Sequence, residues 1–320
     1  MRAIVATAAS DSSPLDGLHI GEHTGKVHDP SWVRVQIKAA GLNHHDVWTL
    51  RGAATAAENL PIVLGSDGAG VTDDGREVII HAVLGTPIHG DETLDPKRSL
   101  LSEVHDGTQA EYCWVPERNL IDKPAFLSWE QAAALPTAWL TAYRMLFTKS
   151  GLQSGDTVLI QGASGGVATA LTQLAHAAGF TTWVTSRDES KRALAKSLGA
   201  NEVFEAGARL PGKVDAVMES VGEATWSHSM RNLRPGGRIV ICGATSGANP
   251  PADLARLFFL QLEVVGSTMG TREEFVSLLD FLERTGVRPT IQASYSFDNA
   301  RDAYELMLNG ETSGKLVLTP

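Results

Sequence analysis

The stretch VLIQGASGGVATALTQLAHAAG, residues 158–179, decides the fold of this chain. An apolar strand ends at Gln161, a glycine-rich turn follows, and a helix opens near Val167. Glycines let a backbone turn tightly and approach a pyrophosphate, while the helix N-terminus offers free N–H groups and a positive dipole. The stretch predicts a dinucleotide-binding turn, with a purely structural turn as the alternative. The predicted phosphate-binding residues are Gly162, Ser164, Gly165, Gly166 and Val167.

Strand-like and helix-like segments alternate downstream of this turn. The segment TTWVTS is followed by a helical pattern from Glu189 to Leu198, and VDAVMES by a helical pattern through Trp226. The apolar segments GRIVICG and LEVVGSTMG complete the series. Alternation of this kind predicts βαβ units, and therefore a parallel sheet with helices on both faces.

The residues after the second strand bear on the choice of nucleotide. The segment TTWVTS ends at Ser186 and Arg187 follows, whereas an NAD site carries an acid near this position to bind the ribose 2′-hydroxyl. Arg187 and Lys191 are suited to hold a 2′-phosphate, so we expect NADPH. Two alternatives stay open: the two basic residues are solvated charges at a helix start, or Asp188 and Glu189 favour NADH.

The segments on either side of this region are rich in β-strand patterns. Alternating apolar residues in VRVQIK and the strand KLVL indicate a β-rich domain that resumes near the C-terminus. Helix starts are predicted at Ser128 with Gln131 and at Thr271 with Glu274, and Pro136 is expected to separate two helices. The polar residues 85–108 form a long loop or flap. We predict a nucleotide-binding domain over residues 123–269, inserted in a domain of residues 1–122 and 270–320.

Composition excludes several classes of protein. The net charge of the 320 residues is -10, which argues against nucleic-acid binding. Two cysteines do not make a disulfide scaffold and fit a reducing compartment. No stretch reads as a signal peptide or a membrane span, so we expect a soluble cytoplasmic protein.

Several motifs, in order along nearly the whole chain, resemble the medium-chain dehydrogenase/reductase family. They are AGLNHHDVW, LPIVLGSDGAGV, AEYCWVPERNL, AAALPTAWLTAYRML, GASGGVA, LRPGGRIVICGATSG and GKLVL. The resemblance is closest to the quinone oxidoreductase-like members. It implies a GroES-like catalytic domain with an inserted Rossmann domain, and a homodimer paired through the edge strand from Leu262 to Met269.

The same resemblance implies further cofactor contacts. Cys242, Gly243, Ser267 and Met269 are expected beside the nicotinamide carboxamide, mostly through backbone atoms. Lys315 is expected near the phosphates.

The resemblance also bears on metal binding. Zinc members of the family hold a catalytic ion at positions that match Asn43, Ser66 and the neighbourhood of Thr137. Their structural zinc needs four cysteines in the segment 85–108, which has none. Asn and Ser are poor zinc ligands, so we expect no metal. An atypical site built from His44, His45, Asp46 and Asp67 is the remaining alternative.

The candidate catalytic residues follow from the same region. Without a Lewis acid, reduction of a conjugated enone or quinone is easier than oxidation of an alcohol, because the developing enolate needs only hydrogen-bond donors. Asn43 is the candidate donor to the substrate or the nicotinamide ribose, and His45 the candidate acid. Trp48 stands where relatives often carry Tyr and is expected to stack on a flat substrate. A structural role is the alternative for each of the three.

We therefore expect a zinc-independent, NADPH-dependent oxidoreductase that reduces quinones or α,β-unsaturated carbonyls. Two other interpretations remain from the sequence. One is an alcohol dehydrogenase with an atypical metal site, and the other is a non-catalytic NADPH-binding protein.

Overall fold

The computed structural model describes residues 1–320, and the chain divides into two compact units. The first unit comprises residues 1–138, 271–284 and 288–320. The second unit comprises residues 139–270 and 285–287. The chain therefore leaves the first unit after residue 138, builds the second, and returns at residue 271, with residues 285–287 as a short second excursion.

The first stretch of the chain is made mostly of short strands. In chain order its elements are β1 (Arg2–Ala6), β2 (Leu18–Glu22), β3 (Val33–Gly41), α1 (His44–Leu50), β4 (Ile62–Val63), β5 (Asp67–Thr72), β6 (Glu77–Ile80), β7 (Val83–Leu84), β8 (Ser99–Leu100), β9 (Tyr112–Val115), β10 (Leu120–Asp122) and α2 (Trp129–Ala133).

The rest of the chain alternates strands with helices and then returns to the first unit. Its elements are α3 (Leu140–Tyr143), β11 (Thr157–Gln161), α4 (Gly166–Ala177), β12 (Thr181–Ser186), α5 (Glu189–Ser197), β13 (Glu202–Glu205), β14 (Val214–Glu219), α6 (Glu223–Asn232), β15 (Leu233–Ile241), α7 (Leu254–Phe259), β16 (Glu263–Gly266), α8 (Arg272–Thr285), β17 (Ile291–Ser296), α9 (Ala300–Leu308) and β18 (Lys315–Thr319). None of these helices has both the length and the apolar composition needed to cross a membrane.

The main sheet of the first unit joins both ends of the chain. Its strand order is β10-β6-β5-β3-β18-β17, and β9 also pairs with β3. The C-terminal strand β18 runs antiparallel to β3, which places residues from opposite ends of the sequence side by side. The unit buries an apolar core that includes Leu42, Leu50, Ile62, Phe297 and Tyr304.

The second unit is built on a six-stranded parallel sheet with the order β13-β12-β11-β14-β15-β16. The order reverses between β11 and β14, and ligands of open α/β sheets bind beyond the carboxyl ends of the strands at such a reversal. Leu159, Val217, Trp226 and Ile239 belong to its buried core. The predicted class, a GroES-like domain with an inserted Rossmann sheet, is confirmed.

Two helix starts predicted from the sequence have the expected hydrogen bonds. The Gln131 N–H donates to Ser128 Oγ at 3.2 Å, and the Ser128 N–H donates to Gln131 Oε1 at 3.1 Å. Likewise, the Glu274 N–H donates to Thr271 Oγ1 at 3.1 Å, and the Thr271 N–H to Glu274 Oε2 at 2.8 Å. Both helices therefore begin with a reciprocal capping box.

The structure corrects one prediction at Pro136. Residues 129–149 stay helical through Pro136, which lies in a π-type turn at Leu135–Trp139 rather than in a break between helices. A wider turn accommodates the proline ring and the missing N–H better than a regular α-helical turn does. The first compact unit extends to residue 138, because α2 packs against β3 and β5.

The segment 85–108, expected to be a long loop or flap, is anchored inside the first unit. Strand β8 pairs with β7, and a short 3-10 turn at Glu92–Leu94 lies between them in the chain. The carboxylate of Glu92 is buried and accepts hydrogen bonds from the Arg272 N–H at 2.8 Å and from His81 Nε2 at 2.9 Å. This carboxylate fixes the middle of the segment to the start of α8.

A second buried carboxylate, Asp46, holds the start of α1. Its Oδ2 accepts from the Asn43 N–H at 2.8 Å, and its Oδ1 accepts from the Gly65 N–H at 2.8 Å. Gln109 Nε2 donates to Oδ2 at 3.3 Å. Burial raises the pKa of Asp46 to about 6, although its hydrogen bonds act in the opposite direction. Asp46 therefore orients the local backbone.

The raised pKa of Asp46 predicts a pH-dependent contribution to stability. A carboxyl whose pKa is higher in the folded than in the unfolded state binds more protons when folded, so the free energy of unfolding rises as pH falls. We expect a gain of about 3 kcal/mol from this group as the pH falls from about 6 to about 4. Urea unfolding at several pH values should show that Asp46→Asn removes this gain.

Asp280→Asn on the exposed face of α8 is the control and should keep the pH dependence of the wild type. At pH 7 we expect Asp46→Asn to lower the free energy of unfolding by about 1–3 kcal/mol. The NH2 group of the introduced asparagine would face a backbone N–H. If the free energies of unfolding of the wild type and Asp46→Asn differed by the same amount at every pH, the raised pKa of Asp46 would be contradicted.

Candidate functional site

The candidate site of the first unit lies where β18, β3 and β5 run side by side. Gly41, at the end of β3, is in register with Val317 on one side and Asp67 on the other. A Cβ atom at Gly41 would lie only 2.8 Å from Asp67 Oδ2 and 2.6 Å from the Ala133 carbonyl oxygen. The missing side chain therefore makes room for the carboxylate of Asp67.

Lys315, the first residue of β18, reaches this carboxylate from the opposite strand. Its Nζ donates to Asp67 Oδ2 at 2.8 Å, to Asn43 Oδ1 at 2.6 Å and to the Leu42 carbonyl oxygen at 2.9 Å. The side chains of Lys315 and Asp67 are 2% and 0% exposed. Three acceptors saturate the three protons of the ammonium group, which is the condition under which a buried charge is tolerated.

Asn43, Ser66 and Thr137 form a short chain of hydrogen bonds beside this ion pair. Asn43 Nδ2 lies 3.5 Å from Ser66 Oγ, and Ser66 Oγ lies 3.0 Å from Thr137 Oγ1. The Thr137 N–H donates to Asp67 Oδ1 at 2.7 Å. The two oxygens of Asp67 thus connect Lys315 to the backbone of Thr137.

These residues do not fit a zinc ion. The three positions that match the catalytic zinc ligands of the family carry one amide and two neutral hydroxyls, whereas zinc prefers thiolate, imidazole and carboxylate. The neighbouring carboxylate, Asp67, is already paired with Lys315. No group of three or more His, Cys, Asp or Glu side chains is placed to hold a metal ion, including the set of His44, His45, Asp46 and Asp67.

His45 and Trp48 both lie on α1 in different surroundings. His45 is mostly buried, with Nε2 3.1 Å from Glu103 Oε1 and Nδ1 3.5 Å from Ser102 Oγ. Both ring nitrogens therefore have partners within the unit. Trp48 is 37% exposed, which leaves a flat apolar surface accessible.

The glycine-rich turn of the second unit has the geometry that a pyrophosphate requires. Gly162 follows β11 with φ +87°, a conformation that residues with a side chain rarely adopt. Gly165 is the N-cap of α4, and a Cβ atom there would have no neighbour within 4 Å. The first N–H groups of α4 have no acceptor within the helix. The turn therefore offers free donors beside open space, which fits a dinucleotide.

The end of β12 carries the residues expected to choose the nucleotide. Arg187 is exposed, and its guanidinium makes no hydrogen bond or ion pair. Asp188 instead caps α5, accepting from the Lys191 N–H at 3.2 Å and from Ser190 Oγ at 2.6 Å. These bonds lower the pKa of Asp188, with the Ser190 hydroxyl as the main cause. Asp188 thus has a structural use, which weakens the case for an NAD-type acid.

Four further predicted cofactor residues follow β15 and β16. The Cys242 N–H donates to the Glu219 carbonyl oxygen at 3.0 Å, and the Ser267 N–H to the Ile241 carbonyl oxygen at 2.8 Å. Burial raises the pKa of Cys242 to about 12, so its thiol is neutral near pH 7. Gly243 follows Cys242 directly, and Met269 has φ +49°. Because all six strands are parallel, these residues lie at the same edge of the sheet as the glycine turn.

A buried polar network connects the strands at the carboxyl-end edge of this sheet. Gln161 Nε2 lies 2.9 Å from His228 Nδ1, and Thr185 Oγ1 donates to Gln161 Oε1 at 2.5 Å. Ser229 Oγ donates to Glu219 Oε2 at 2.7 Å and accepts from Gln161 Nε2 at 3.0 Å. The network ties together the carboxyl ends of β11, β12 and β14.

Within each unit the structure places several predicted residues close together: Asn43 lies beside Ser66 and Thr137 in the first unit, and Cys242 and Ser267 lie at the sheet edge of the glycine turn in the second. The ammonium of Lys315 is buried in the first unit with all three protons engaged, and its nearness to the phosphates stays a prediction. The sequence did not predict Asp67 and Thr137 as partners in this cluster. One signal was available, since a lysine at the start of the apolar strand KLVL needs a buried partner.

Two protein-family models match the chain. An alcohol dehydrogenase GroES-like domain matches residues 29–125, within the first unit. A zinc-binding dehydrogenase domain matches residues 166–284, most of which belong to the second unit.

Among curated proteins, the chain is similar to two reductases. It is 33% identical to 2-methylene-furan-3-one reductase of Solanum lycopersicum over 302 residues, which cover 90% of this chain and 71% of the relative. It is 27% identical to quinone oxidoreductase of Mus musculus over 308 residues, which cover 89% of this chain and 88% of the relative.

Two solved structures resemble the whole chain. An NAD-dependent alcohol dehydrogenase superposes with a TM-score of 0.92 at 34% identity, covering 100% of both chains. A 2-octenoyl-CoA carboxylase reductase in complex with NADP and 2-octenoyl-CoA superposes with a TM-score of 0.91 at 25% identity, covering 99% of this chain and 87% of that one.

The open space beside Gly165 predicts that Gly165→Val separates nucleotide binding from folding. The backbone at Gly165 (φ -67°, ψ 162°) suits any residue, and an added side chain meets nothing within the protein. We expect an unfolding midpoint within a few degrees of the wild type. We also expect an increase of at least about tenfold in the Kd for a nicotinamide dinucleotide, because the side chain fills the place of the pyrophosphate.

Fluorescence titration and thermal unfolding measure the two effects. Gly155→Val is the matched control, because Gly155 is also free of neighbours although it has φ +90°. That variant should lose stability and keep the wild-type Kd. If Gly165→Val bound the dinucleotide with the wild-type Kd, the prediction that the phosphates bind at this turn would be wrong.

Proposed function

The chain belongs to the medium-chain dehydrogenase/reductase superfamily, and on that premise we propose that it reduces α,β-unsaturated carbonyls or quinones with NADPH. The observation that carries the proposal is the neutral hydrogen-bonded set of Asn43, Ser66 and Thr137 beside the buried pair of Lys315 and Asp67. Such a set supplies donors for a carbonyl oxygen and no Lewis acid. The similarity to an enone reductase and to a quinone oxidoreductase points in the same direction.

The preference for NADPH over NADH rests on the end of β12. Arg187 is exposed and unpaired, while the nearby acid Asp188 is used as a helix cap. A guanidinium binds phosphate through charge-assisted hydrogen bonds, with Lys191 as a further positive charge. The NADP complex of a structural relative agrees with this choice. The similarity to an NAD-dependent alcohol dehydrogenase makes NADH the competing cofactor.

The proposed reaction divides the chemistry between cofactor and protein. The bound dinucleotide supplies a hydride, which adds to the carbon β to the carbonyl. The electron pair of the double bond then moves to the carbonyl oxygen, and a proton completes the reduction at the α-carbon. The protein must therefore hold an oxygen that becomes negative and deliver one proton.

His45 is the proposed source of that proton. Imidazole can act as a general acid, and the contacts of its two nitrogens with Glu103 and Ser102 orient the ring of His45. Trp48, partly exposed on the same helix, offers its indole as a flat surface for the substrate. Two free thiols, Cys113 and Cys242, agree with the expected reducing, cytoplasmic compartment.

We further propose a homodimer through the edge of the second unit's sheet. Strand β16 pairs only with β15, so one side of its backbone is unpaired. Val264 on β16 is 44% exposed, and Phe258 and Phe259 on α7 are 75% and 79% exposed. An unpaired strand edge beside exposed aromatic residues is typical of a surface covered by another chain.

The test of the proposed activity is NADPH oxidation with a panel of enones and quinones. Turnover that survives a metal chelator, in protein without stoichiometric zinc, would support the proposal. Oxidation of alcohols that depends on a removable metal would instead indicate an alcohol dehydrogenase. Tight NADPH binding without turnover on any substrate would indicate a non-catalytic NADPH-binding protein.

Arg187→Ala should weaken NADPH binding and leave NADH binding nearly unchanged. Loss of a hydrogen bond to a charged group costs about 1.5–3 kcal/mol, so we expect the Kd for NADPH to rise by about 10- to 100-fold. The Kd for NADH should change by less than about threefold, because NADH lacks the 2′-phosphate. Parallel fluorescence titrations measure both values.

Arg284→Ala, on α8 of the first unit, controls for the loss of one positive charge. Equal weakening of both nucleotides by Arg187→Ala, or tighter binding of NADH by the wild type, would reject Arg187 as the reader of the phosphate.

Val264→Asp should dissociate the proposed dimer. A carboxylate at the centre of an apolar contact between edge strands would be buried without a partner. Light scattering should give about twice the 34.1 kDa chain mass for the wild type and the chain mass itself for the variant. Val276→Asp is the matched control, because Val276 is 38% exposed on α8 of the other unit. A monomeric wild type would exclude the proposal.

A further inference from the structure

The hydrogen bonds around Lys315 have a fixed order of donors and acceptors. An ammonium group carries only donors, so the Asn43 atom 2.6 Å from Lys315 Nζ must be the amide oxygen. The amide nitrogen of Asn43 then faces Ser66 Oγ, 3.5 Å away, as a donor. Lys315 therefore decides which way the Asn43 amide points.

The order continues through two hydroxyl groups. Ser66 is fully buried, and the Asn43 amide presents hydrogens to it, so Thr137 Oγ1 at 3.0 Å is the acceptor left for the Ser66 proton. The Thr137 hydroxyl then accepts from Ser66, and its own proton has no acceptor in the protein. Thr137 is also the only one of the four residues that is partly exposed rather than buried. The chain of bonds thus ends in an accessible donor.

We propose that the Thr137 hydroxyl donates a hydrogen bond to the carbonyl oxygen of the substrate. Lys315, Asn43 and Ser66 are positioning residues that hold this hydroxyl as a donor. The inference rests on the proposed function, in which that oxygen becomes negative during the reaction. A donor aimed at the oxygen stabilises the transition state more than the ground state, because its bond strengthens as the charge develops.

Asp67 gives the arrangement its rigidity. One of its oxygens binds Lys315 Nζ at 2.8 Å, and the other accepts from the Thr137 N–H at 2.7 Å. A single buried carboxylate therefore holds both Lys315 and Thr137, the first and last members of the series of hydrogen bonds. Hydrogen bonds in series also polarise one another in a buried environment, so the positive charge of Lys315 strengthens the final donor.

The first experiment compares Thr137→Val with Thr137→Ser. Thr137→Val keeps the shape and the backbone bond to Asp67 but removes the hydroxyl. We expect the kcat for an enone such as 2-cyclohexen-1-one to fall by about 10²- to 10³-fold, with the Kd for NADPH unchanged. Thr137→Ser should recover activity to within about tenfold of the wild type, because a hydroxyl is restored.

A second measurement reports on the hydrogen bond itself. The infrared carbonyl stretch of 13C-labelled 2-cyclohexen-1-one, bound together with NADP+, should shift to lower frequency in the wild type. The shift should be lost in Thr137→Val and kept in Thr137→Ser. Thr319→Val is the matched control, because Thr319 is a partly exposed threonine of the same unit whose hydroxyl bonds the Tyr295 carbonyl oxygen.

The positioning role of Lys315 needs its own variant. Lys315→Met combined with Asp67→Asn removes both charges together and so avoids leaving one buried charge unpaired. We expect the carbonyl frequency in this folded double variant to move back toward its value in solution. A purely structural role would lower the unfolding midpoint and leave the frequency unchanged.

The outcomes separate this inference from the proposed function. If the wild type reduces enones and Thr137→Val has the same kcat and the same carbonyl frequency, the role of Thr137 is overturned and the proposed function stands. A wild type that turns over no enone and no quinone removes the proposed function, and the carbonyl frequency still decides whether Thr137 contacts the bound oxygen. If no enone and no quinone of the panel binds to the NADP+ complex, both proposals are overturned.

Discussion

The buried ion pair between Lys315 and Asp67 holds the ends of three neighbouring strands in the first unit. Lysine and aspartate lose their hydration when they are buried, and the loss is balanced only if every proton and lone pair finds a partner. Lys315 meets this condition with three acceptors, and Asp67 accepts from both Lys315 and the Thr137 backbone. Removing one partner alone would leave an uncompensated charge at a cost of about 3–5 kcal/mol. The local geometry of Asn43, Ser66 and Thr137 depends on this pair.

The same pair organises residues that match the zinc-ligand positions of the family but do not fit a metal ion. An amide and two hydroxyls are weak ligands for a metal but good members of a hydrogen-bond chain. The positive charge of Lys315 at one end sets which group donates and which accepts in each hydrogen bond of the series. Gly41 belongs to the arrangement because any side chain there would occupy the space of the Asp67 carboxylate.

The second unit meets a different constraint, that of a parallel sheet. Parallel strands all end at one edge, so residues far apart in sequence gather there without any specific attraction between them. The buried network of Gln161, Thr185, His228, Ser229 and Glu219 keeps the strand ends in place. Because the network satisfies its polar groups internally, the first backbone N–H groups of α4 stay free for a ligand.

The sequence alone determined the features that depend on neighbours along the chain. The turn at Gly162, the capping boxes at Ser128 and Thr271, and the alternation of strands and helices each arise from interactions within a few residues. The family resemblance supplied the two-domain class. It could not show that Pro136 lies inside a continuous helical segment, because a wide turn is set by packing rather than by local preference.

Only the tertiary structure decided the composition of the site in the first unit. Lys315 and Asp67 are 248 positions apart, and Lys315 and Asn43 are 272 apart. Their contact follows from the pairing of β18 with β3 and of β3 with β5, and no local pattern specifies that register. Once the strands are paired, the donor-only chemistry of lysine fixes the orientation of the Asn43 amide. Thr137 then becomes the last member of the series of hydrogen bonds. The physical reason is that a buried charge must find its partners in space, wherever they lie in the sequence.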